Sequence, residues 1–469
     1  MSNFNRPIPP AIFRAYDIRG VVDQQLNADN VALISQAIGS EAIDLGISSL
    51  LVARDGRLSS PLLSEALVAG LRQSGINVVD LGMVPTPLLY FATHFSDIDS
   101  GVMLTASHNP ANYNGLKITR GVYPIWGDEL QELYTECLTA QPAETSGQRS
   151  THNLLDDYLK SRTDRFQFPK GIKVAIDCGN GTAGPVIIPL FEKLGIEVDA
   201  LYAEPDGTFP NHLPDPEVPK YMKALCDKVA QGDYVCGFGF DGDSDRVGLI
   251  DENGKKISAD LLLLAFARHL LQQVPGGKII YAVKCTDDIE EGIRKAGGEP
   301  ILSKTGHSII KEKMRETGAI LAGELSGHIC VGHGGDGFDD AFFAALLTLE
   351  IMSSRNCSCS DLFADIPEKV STPEVKIPVS EENKFKVIED MVAIFKNDPQ
   401  GGKIIDLDGI RVSFDDGWML IRASNTTANL TARIEGRDTQ AMQRIGAIVQ
   451  EALETQPVDI APLKEALQN

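Results

Sequence analysis

Residues 171–202 read GIKVAIDCGNGTAGPVIIPLFEKLGIEVDALY. An apolar run rich in β-branched residues leads into a glycine-rich turn. PVIIPLFEKLG (185–195) follows with a period near 3.6, and IEVDALY (196–202) is β-rich again. Strands alternate their faces every second residue and helices repeat every 3.6, so the pattern predicts strand, helix and strand. Gly195 falls where a helix C-cap is expected. A strand–helix–strand unit crosses over right-handedly and gives a parallel or mixed sheet.

The same pattern occurs on either side. SSLLVARD (48–55), a helical stretch over 61–75 and INVVDLG (76–82) form one copy. KIIYAVKC (278–285), DDIEEGIRKAGG (287–298) and EPILSK (299–304) form another. Gly75 and Gly297 stand where Gly195 stands in the middle copy. The C-terminal part differs: DGIRVSF, DDG and WMLIRAS predict a hairpin (408–424), TANLTARIEG a further strand, and Thr439 to Glu454 an amphipathic helix. The expected fold class is therefore α/β: three related α/β domains with mixed sheets, then a C-terminal α+β domain. The candidate boundaries are the polar stretch 141–150, the turn DENGKK (251–256) and the segment near Pro367, giving domains over 1–150, 151–253, 254–366 and 367–469.

Several loops carry chemistry. GVMLTASHNP (101–110) is a strand running into Ser107 and His108, and open α/β sheets bind ligands beyond the carboxyl ends of their strands. A serine hydrolase would want G-x-S-x-G around Ser107, and neither glycine is present. On a strand, His108 would point away from its neighbour. DGDSDR (241–246) sets Asp241, Asp243 and Asp245 at alternate positions, an oxygen-only set suited to Mg²⁺. The rival is a calcium EF-hand, with Glu252 at its twelfth position, but Arg246 stands where that loop needs glycine. GNGTAG (179–184) matches a dinucleotide fingerprint, with Asp199 at the end of the next strand; its bland reading is a tight turn under close helix–strand packing. SKTGHS (303–308) and GELSGH (323–328) bring His307, Glu324, Ser326 and His328 into glycine-rich turns, a polar grip for sugar hydroxyls. Arg422, Ser424, Asn425 and Thr426 offer a guanidinium, hydroxyls and turn amides suited to phosphate.

Composition limits the partners. The 469 residues are 43% hydrophobic and 23% charged, ordinary values for a globular chain. The formal net charge of −22 argues against nucleic acid and anionic lipid as partners, and an anionic substrate would need locally gathered cations. MSNFNRPIPP lacks the apolar core of a signal peptide, and apolar runs such as Leu261 to Phe266 are too short for a membrane span. The eight cysteines are scattered without a CxxC, so reduced thiols in a cytoplasmic protein are expected.

FRAYDIRG (13–20), TASHNP (105–110), DGDSDR (241–246), GELSGH (323–328) and RASNTT (422–427), in this order, resemble the α-D-phosphohexomutase superfamily and its bacterial phosphomannomutase/phosphoglucomutase branch. The resemblance implies four domains around a central cleft. It makes Ser107 a phosphoserine and gives Asp241, Asp243 and Asp245 a Mg²⁺ shared with a phosphoserine oxygen. Glu324 and Ser326 would grip sugar hydroxyls, and Arg422, Ser424, Asn425 and Thr426 the phosphate that does not react. Tyr16, Arg19, Lys117, Arg246, Lys284, His307 and His328 would line the cleft. The implied reaction interconverts hexose 6-phosphate and hexose 1-phosphate through a hexose 1,6-bisphosphate, with glucose-1,6-bisphosphate as activator and sugar phosphates as partners of a monomer. The general base is Lys117, its pKa lowered among cations, or a cleft histidine, His108 included. One departure is Ala428, where the family commonly has Pro after its SNT. A phosphoglucosamine mutase, differing around Leu325 and the Ser107 loop, is the rival within the family; an NAD-dependent oxidoreductase using GNGTAG is the rival outside it.

Overall fold

The computed structural model describes residues 8–424 and 428–468. Each strand–helix–strand unit forms as its patterning predicts, and Gly75, Gly195 and Gly297 end their helices with positive φ. The first sheet contains β1 (Ile18–Val21), β2 (Ser49–Arg54), β3 (Asn77–Met83), β4 (Gly101–Leu104), β5 (Tyr113–Arg120), β6 (Tyr123–Pro124) and β7 (Arg149–Thr151). The second contains β8 (Lys173–Asp177), β9 (Glu197–Leu201), β10 (Cys236–Phe240), β11 (Val247–Asp251) and β12 (Lys256–Ile257). The third contains β13 (Lys278–Ala282), β14 (Glu299–Ser303), β15 (Leu321–Gly323) and β16 (Ile329–Val331).

The three sheets share one topology. The orders β3-β2-β4-β5, β9-β8-β10-β11 and β14-β13-β15-β16 each hold three parallel strands closed by an antiparallel fourth. The Ser107 loop joins β4 to β5, the Asp241–Asp245 loop joins β10 to β11, and the Glu324–His328 loop joins β15 to β16. The motif loops of the first three domains thus occupy the same place in three copies of one fold, at the carboxyl end of the third parallel strand.

The stretch DENGKK is the hairpin that joins β11 to β12, so the division after residue 253 falls inside a paired hairpin. The polar stretch 141–150 runs into β7, which pairs with β3. The fourth sheet is antiparallel, with β17 (Val370–Ser371), β18 (Val375–Pro378), β19 (Lys403–Ile405), β20 (Ile410–Phe414), β21 (Gly417–Ala423) and β22 (Asn429–Gly436). The helix Thr439–Glu454 packs on it, capped by the Asp438 carboxylate accepting from the Ala441 amide. None of the helices in the described residues is long and apolar enough to cross a membrane.

One apolar core runs continuously through the second and third domains and takes in Leu88, Tyr90 and Phe91 of the first. The fourth domain has a core of its own, around Met391, Met419 and Ile445. Its apolar contact with the third is small, Val283 against Trp418 and Leu420. Arg411 stacks 3.9 Å over the Trp418 ring and donates to the carbonyls of Val283 and Cys285. Glu435 accepts from the Trp418 indole at 2.9 Å and from the Thr286 hydroxyl at 2.6 Å. The apolar part of this joint is small beside either core that it connects. Arg411→Ala leaves two buried carbonyls unpaired and is expected to loosen that joint by about 3 kcal/mol, or roughly 100-fold faster amide exchange. Hydrogen exchange should show the increase along the contact between the third and fourth domains and not in the first sheet.

Candidate active site

After Leu104 the strand ends and residues 105–109 turn. Ser107 there has φ +49, a left-handed backbone costing about 1–3 kcal/mol that its surroundings must offset. Arg57 does this. Its buried Nη2 donates to the carbonyls of Ser107 and Asn109, each at 2.7 Å, and its Nη1 to those of Pro110 (2.7 Å) and Tyr113 (3.1 Å). Its Nε donates to Asp55 at 3.0 Å, and Asp55 also accepts from the hydroxyls of Ser60 and Thr105. The Ser107 hydroxyl then donates to Asp241 at 2.5 Å and lies 3.1 Å from His108 Nδ1. His108 therefore does not point away from Ser107 as strand alternation predicts, because the two residues lie in a turn. Burial, then Arg246 and Arg19, hold the His108 imidazole well below its ordinary pKa, which keeps it neutral. Arg19 pairs with Asp17 and donates to the Asn109 side chain at 2.5 Å.

Asp241, Asp243 and Asp245 are fully buried, with ligand atoms within 4.8 Å of one another. Thr86 donates to Asp243 at 2.6 Å, and Lys117 from β5 bridges Asp243 (2.6 Å) and Asp245 (2.5 Å). Burial opposes the Lys117 ammonium, but the two carboxylates outweigh it and raise its pKa well above the ordinary value. The expectation of a lowered lysine pKa is thus reversed, since its nearest neighbours are anions. Burial, then Asp245 and Asp243, push Asp241 well above the usual carboxylate range. Asp243 Oδ1 and Asp245 Oδ1 are buried with no hydrogen-bond partner among the described residues, and such orphaned oxygens fit a hard divalent cation. Glycine is required at Gly242, between Asp241 and Asp243: a Cβ there would come within 2.4 Å of the Ser107 carbonyl.

Two rival readings fail at this loop. Glu252 accepts from the Ser360 amide and hydroxyl, away from the acidic cluster, so the loop is a hairpin turn and not an EF-hand. In GNGTAG the Thr182 amide, which a pyrophosphate would need, donates to the Gly242 carbonyl at 3.1 Å. A Cβ on Gly181 would meet that same oxygen at 2.8 Å, so the glycines serve close packing against the metal loop. Asp199 is paired with Lys228 (2.7 Å) and Tyr234 (2.5 Å).

The third domain faces this cluster. The Arg246 Nε donates to His328 Nε2 at 3.0 Å, and His328 stacks on His307 with ring centroids 5.3 Å apart. His307 opens the helix His307–Thr317; burial, then Lys311 and Lys117, hold its pKa well below the ordinary value. Its Nδ1 is buried without a hydrogen-bond partner among the described residues. Tyr16 donates to the Thr305 carbonyl at 2.7 Å, Glu324 accepts from the Gly306 amide, and Ser326 donates to Glu324 at 3.1 Å. In the fourth domain Arg422 Nε lies 3.1 Å from Asp408, which accepts from the Thr305 amide at 3.2 Å. Arg422 Nη2 is buried and has no hydrogen-bond partner among the described residues. Lys284 pairs with Glu374 of the fourth domain and lies 3.6 Å from Glu217 of the second. The Ser424 carbonyl accepts from Lys384 at 2.8 Å. Asn425 and Thr426 lie outside the described residues. Side chains from all four domains thus gather around one site.

Four segments match the domains of one family described as phosphoglucomutase/phosphomannomutase: residues 10–143 match its alpha/beta/alpha domain I, 156–254 domain II, 258–370 domain III and 374–452 its C-terminal domain. The chain belongs to the phosphoglucomutase/phosphomannomutase family. It is similar to a phosphomannomutase/phosphoglucomutase of Pseudomonas aeruginosa, 43% identical over 456 residues, covering 97% of this chain and 98% of that one. It is similar to a phosphoglucomutase of Neisseria gonorrhoeae at 41% identity, covering 96% of this chain and 98% of the other. Among solved structures it is similar to a phosphoglucomutase/phosphomannomutase family protein of Burkholderia thailandensis, with a TM-score of 0.90 and 41% identity over 96% of this chain and 98% of that one.

In this member of the phosphoglucomutase/phosphomannomutase family, sequence reasoning missed Arg57, Asp55 and Thr86. Asp55 and Arg57 follow the carboxyl end of β2, the position that GNGTAG holds after β8 and Lys284 after β13, and overlaying the three repeats would have found them. Arg57→Met is expected to keep the fold by circular dichroism while turnover falls on the order of 100-fold, because Ser107 loses its placement. Arg57→Lys should not restore it, since an ammonium cannot reach four carbonyls in one plane. Turnover of both variants alongside melting temperature checks this.

Proposed function

We propose that the protein is a phosphohexomutase interconverting hexose 6-phosphate and hexose 1-phosphate, with mannose or glucose as the sugar. The observation that carries the reading is the Ser107 hydroxyl bonded to Asp241 inside a buried acidic cluster flanked by Lys117, Arg19 and Arg246. The names of the relatives support the choice of sugar.

Ser107 would carry the phosphoryl group, hand it to the sugar and take the other phosphate back, so that a hexose 1,6-bisphosphate links the half-reactions. Phosphoryl transfer needs positioning and charge stabilisation more than covalent chemistry. Asp241, Asp243, Asp245 and an oxygen of phosphorylated Ser107 would hold Mg²⁺, which supplies charge neutralisation when bound. Lys117, bridging Asp243 and Asp245, would supply positive charge beside the transferring phosphoryl group. His108, 3.1 Å from the Ser107 hydroxyl, would accept its proton when Ser107 takes a phosphate back. His307, also neutral and with Nδ1 uncommitted, is suited to the sugar hydroxyl's proton. Glu324 and Ser326 would hold sugar hydroxyls. Arg422, Ser424, Asn425 and Thr426 would clamp the distal phosphate, and the narrow joint to the fourth domain would let that clamp open while the bisphosphate turns over.

The intact mass of active protein should show one phosphate on Ser107, and Ser107→Ala should lose on the order of 10³-fold or more in turnover with its fold unchanged. Dephosphorylated protein should be idle until glucose-1,6-bisphosphate is added; full activity with Ser107 unmodified would sink the covalent scheme.

EDTA-treated protein should be inactive and recover with Mg²⁺. Asp243→Asn should weaken metal binding, because one of three charges is lost, and raise the Mg²⁺ concentration needed for half-maximal activity. Activity that persists in EDTA would overturn the metal assignment.

A further inference from the structure

Each carboxylate of the acidic loop has one oxygen committed to protein donors and one kept back. Asp241 Oδ1 accepts from the amides of Asp245 (3.1 Å) and Arg246 (3.2 Å), which leaves Oδ2 to the Ser107 hydroxyl. Asp243 Oδ2 accepts from the Thr86 hydroxyl and from Lys117, each at 2.6 Å, and Asp245 Oδ2 accepts from Lys117 at 2.5 Å. Their other oxygens, Asp243 Oδ1 and Asp245 Oδ1, have no hydrogen-bond partner among the described residues. Asp339 of the third domain, close to Asp245, shows the contrast. Lys311 donates to its Oδ1 at 2.7 Å and His328 Nδ1 lies 2.9 Å from its Oδ2, so neither oxygen is left over.

Thr86 reaches the loop from another domain and without charge. It is wholly buried and opens the helix Thr86–Phe95 of the first domain. The first amides of a helix have no partner within it. Pro85 and Pro87 carry no N–H, so Thr86 supplies the one amide of that stretch, and it donates to the Asp243 carbonyl at 2.9 Å. One residue thus holds both the main chain and the side chain of Asp243. A β-branched side chain is stiff at χ1, so fixing the Thr86 backbone also aims its hydroxyl. A carboxylate held in this way offers a cation one oxygen and not two. Mg²⁺ suits single oxygens in a tight octahedral set, whereas Ca²⁺ takes more oxygens and accepts both from one carboxylate.

We propose that Thr86 is a positioning residue that holds Asp243 as a one-oxygen ligand, leaving Oδ1 for the cation, and that this makes the acidic loop favour Mg²⁺ over Ca²⁺. The proposal rests on the reading of that loop as a divalent-metal site.

The test needs no turnover. Full-length protein, with equal Ser107 phosphate content by intact mass and stripped with EDTA, is titrated calorimetrically with Mg²⁺ alone and with Ca²⁺ alone. Thr86→Val keeps the shape and the amide and loses the hydroxyl. Its Mg²⁺ affinity should fall about 10- to 100-fold, as when a partner of a metal ligand is removed. Its Ca²⁺ affinity should change by no more than about threefold, since a freed carboxylate can give Ca²⁺ its second oxygen. Thr86→Ser keeps the hydroxyl and should stay within about threefold of wild type for both ions. Equal losses for the two ions would be the mark of a merely structural residue and overturn the proposal. Wild-type protein that binds no Mg²⁺ removes the metal reading and the proposal together; Thr86→Val that matches a Mg²⁺-binding wild type overturns the proposal alone. A second readout uses the wild type and so does not depend on the variant folding. The infrared difference spectrum between Mg²⁺-bound and stripped protein, with isotope-labelled aspartate, should show carboxylates coordinating through one oxygen. A band of two-oxygen coordination overturns the proposal.

Discussion

Three carboxylates buried side by side are the constraint on which the rest of the structure depends. Asp241, Asp243 and Asp245 are wholly inaccessible to water, and each buried charge costs about several kcal/mol unless compensated. Most of the compensation comes from outside their own domain. Lys117 and Thr86 arrive from the first domain, as does the Ser107 hydroxyl. Arg246, one residue beyond the cluster, is tied instead to His328 of the third domain. The acidic loop cannot be stable without its neighbours, so assembling the first three domains and assembling the reactive centre are one event.

The fourth domain stands apart from that arrangement. Its core is separate, and it reaches the site through Arg422 and through Glu374, which pairs with Lys284. Its attachment is a short apolar contact laced by Arg411 and Glu435. Under the proposed reaction, a rigid acidic loop beside a separately cored fourth domain would suit a substrate that must be held at one end, released and held at the other. The glycines of GNGTAG belong to the rigid half, where they let the second domain's turn back closely onto Gly242.

Much of this was legible in the sequence because it is local. The strand–helix–strand units, their terminal glycines and the closing helix at Thr439 follow from short-range periodicity and capping. The motif loops were legible because each is a continuous run of unusual polar residues after an apolar strand. What stayed hidden is long-range or hydrogen-bonded to backbone. Arg57 works by donating to carbonyls fifty residues away in sequence, which no side-chain pattern announces. Asp339 resembles any acidic residue in a glycine-rich turn until His328 and Lys311 are placed around it. The surroundings of Lys117 are hidden for the same reason, since its nearest partners, Asp243 and Asp245, lie more than a hundred residues away. Strand alternation fails at His108 because the chain turns at Ser107.

The central claim is that Ser107 passes its phosphoryl group to the sugar. The most direct test is a single-turnover experiment in which protein carrying a labelled phosphate on Ser107 meets an excess of unlabelled glucose 1-phosphate. The account predicts that the label leaves the protein in the first turnover, appears in sugar bisphosphate and hexose 6-phosphate, and is replaced on Ser107 by unlabelled phosphate. Label that stays on the protein while hexose 6-phosphate accumulates would contradict it.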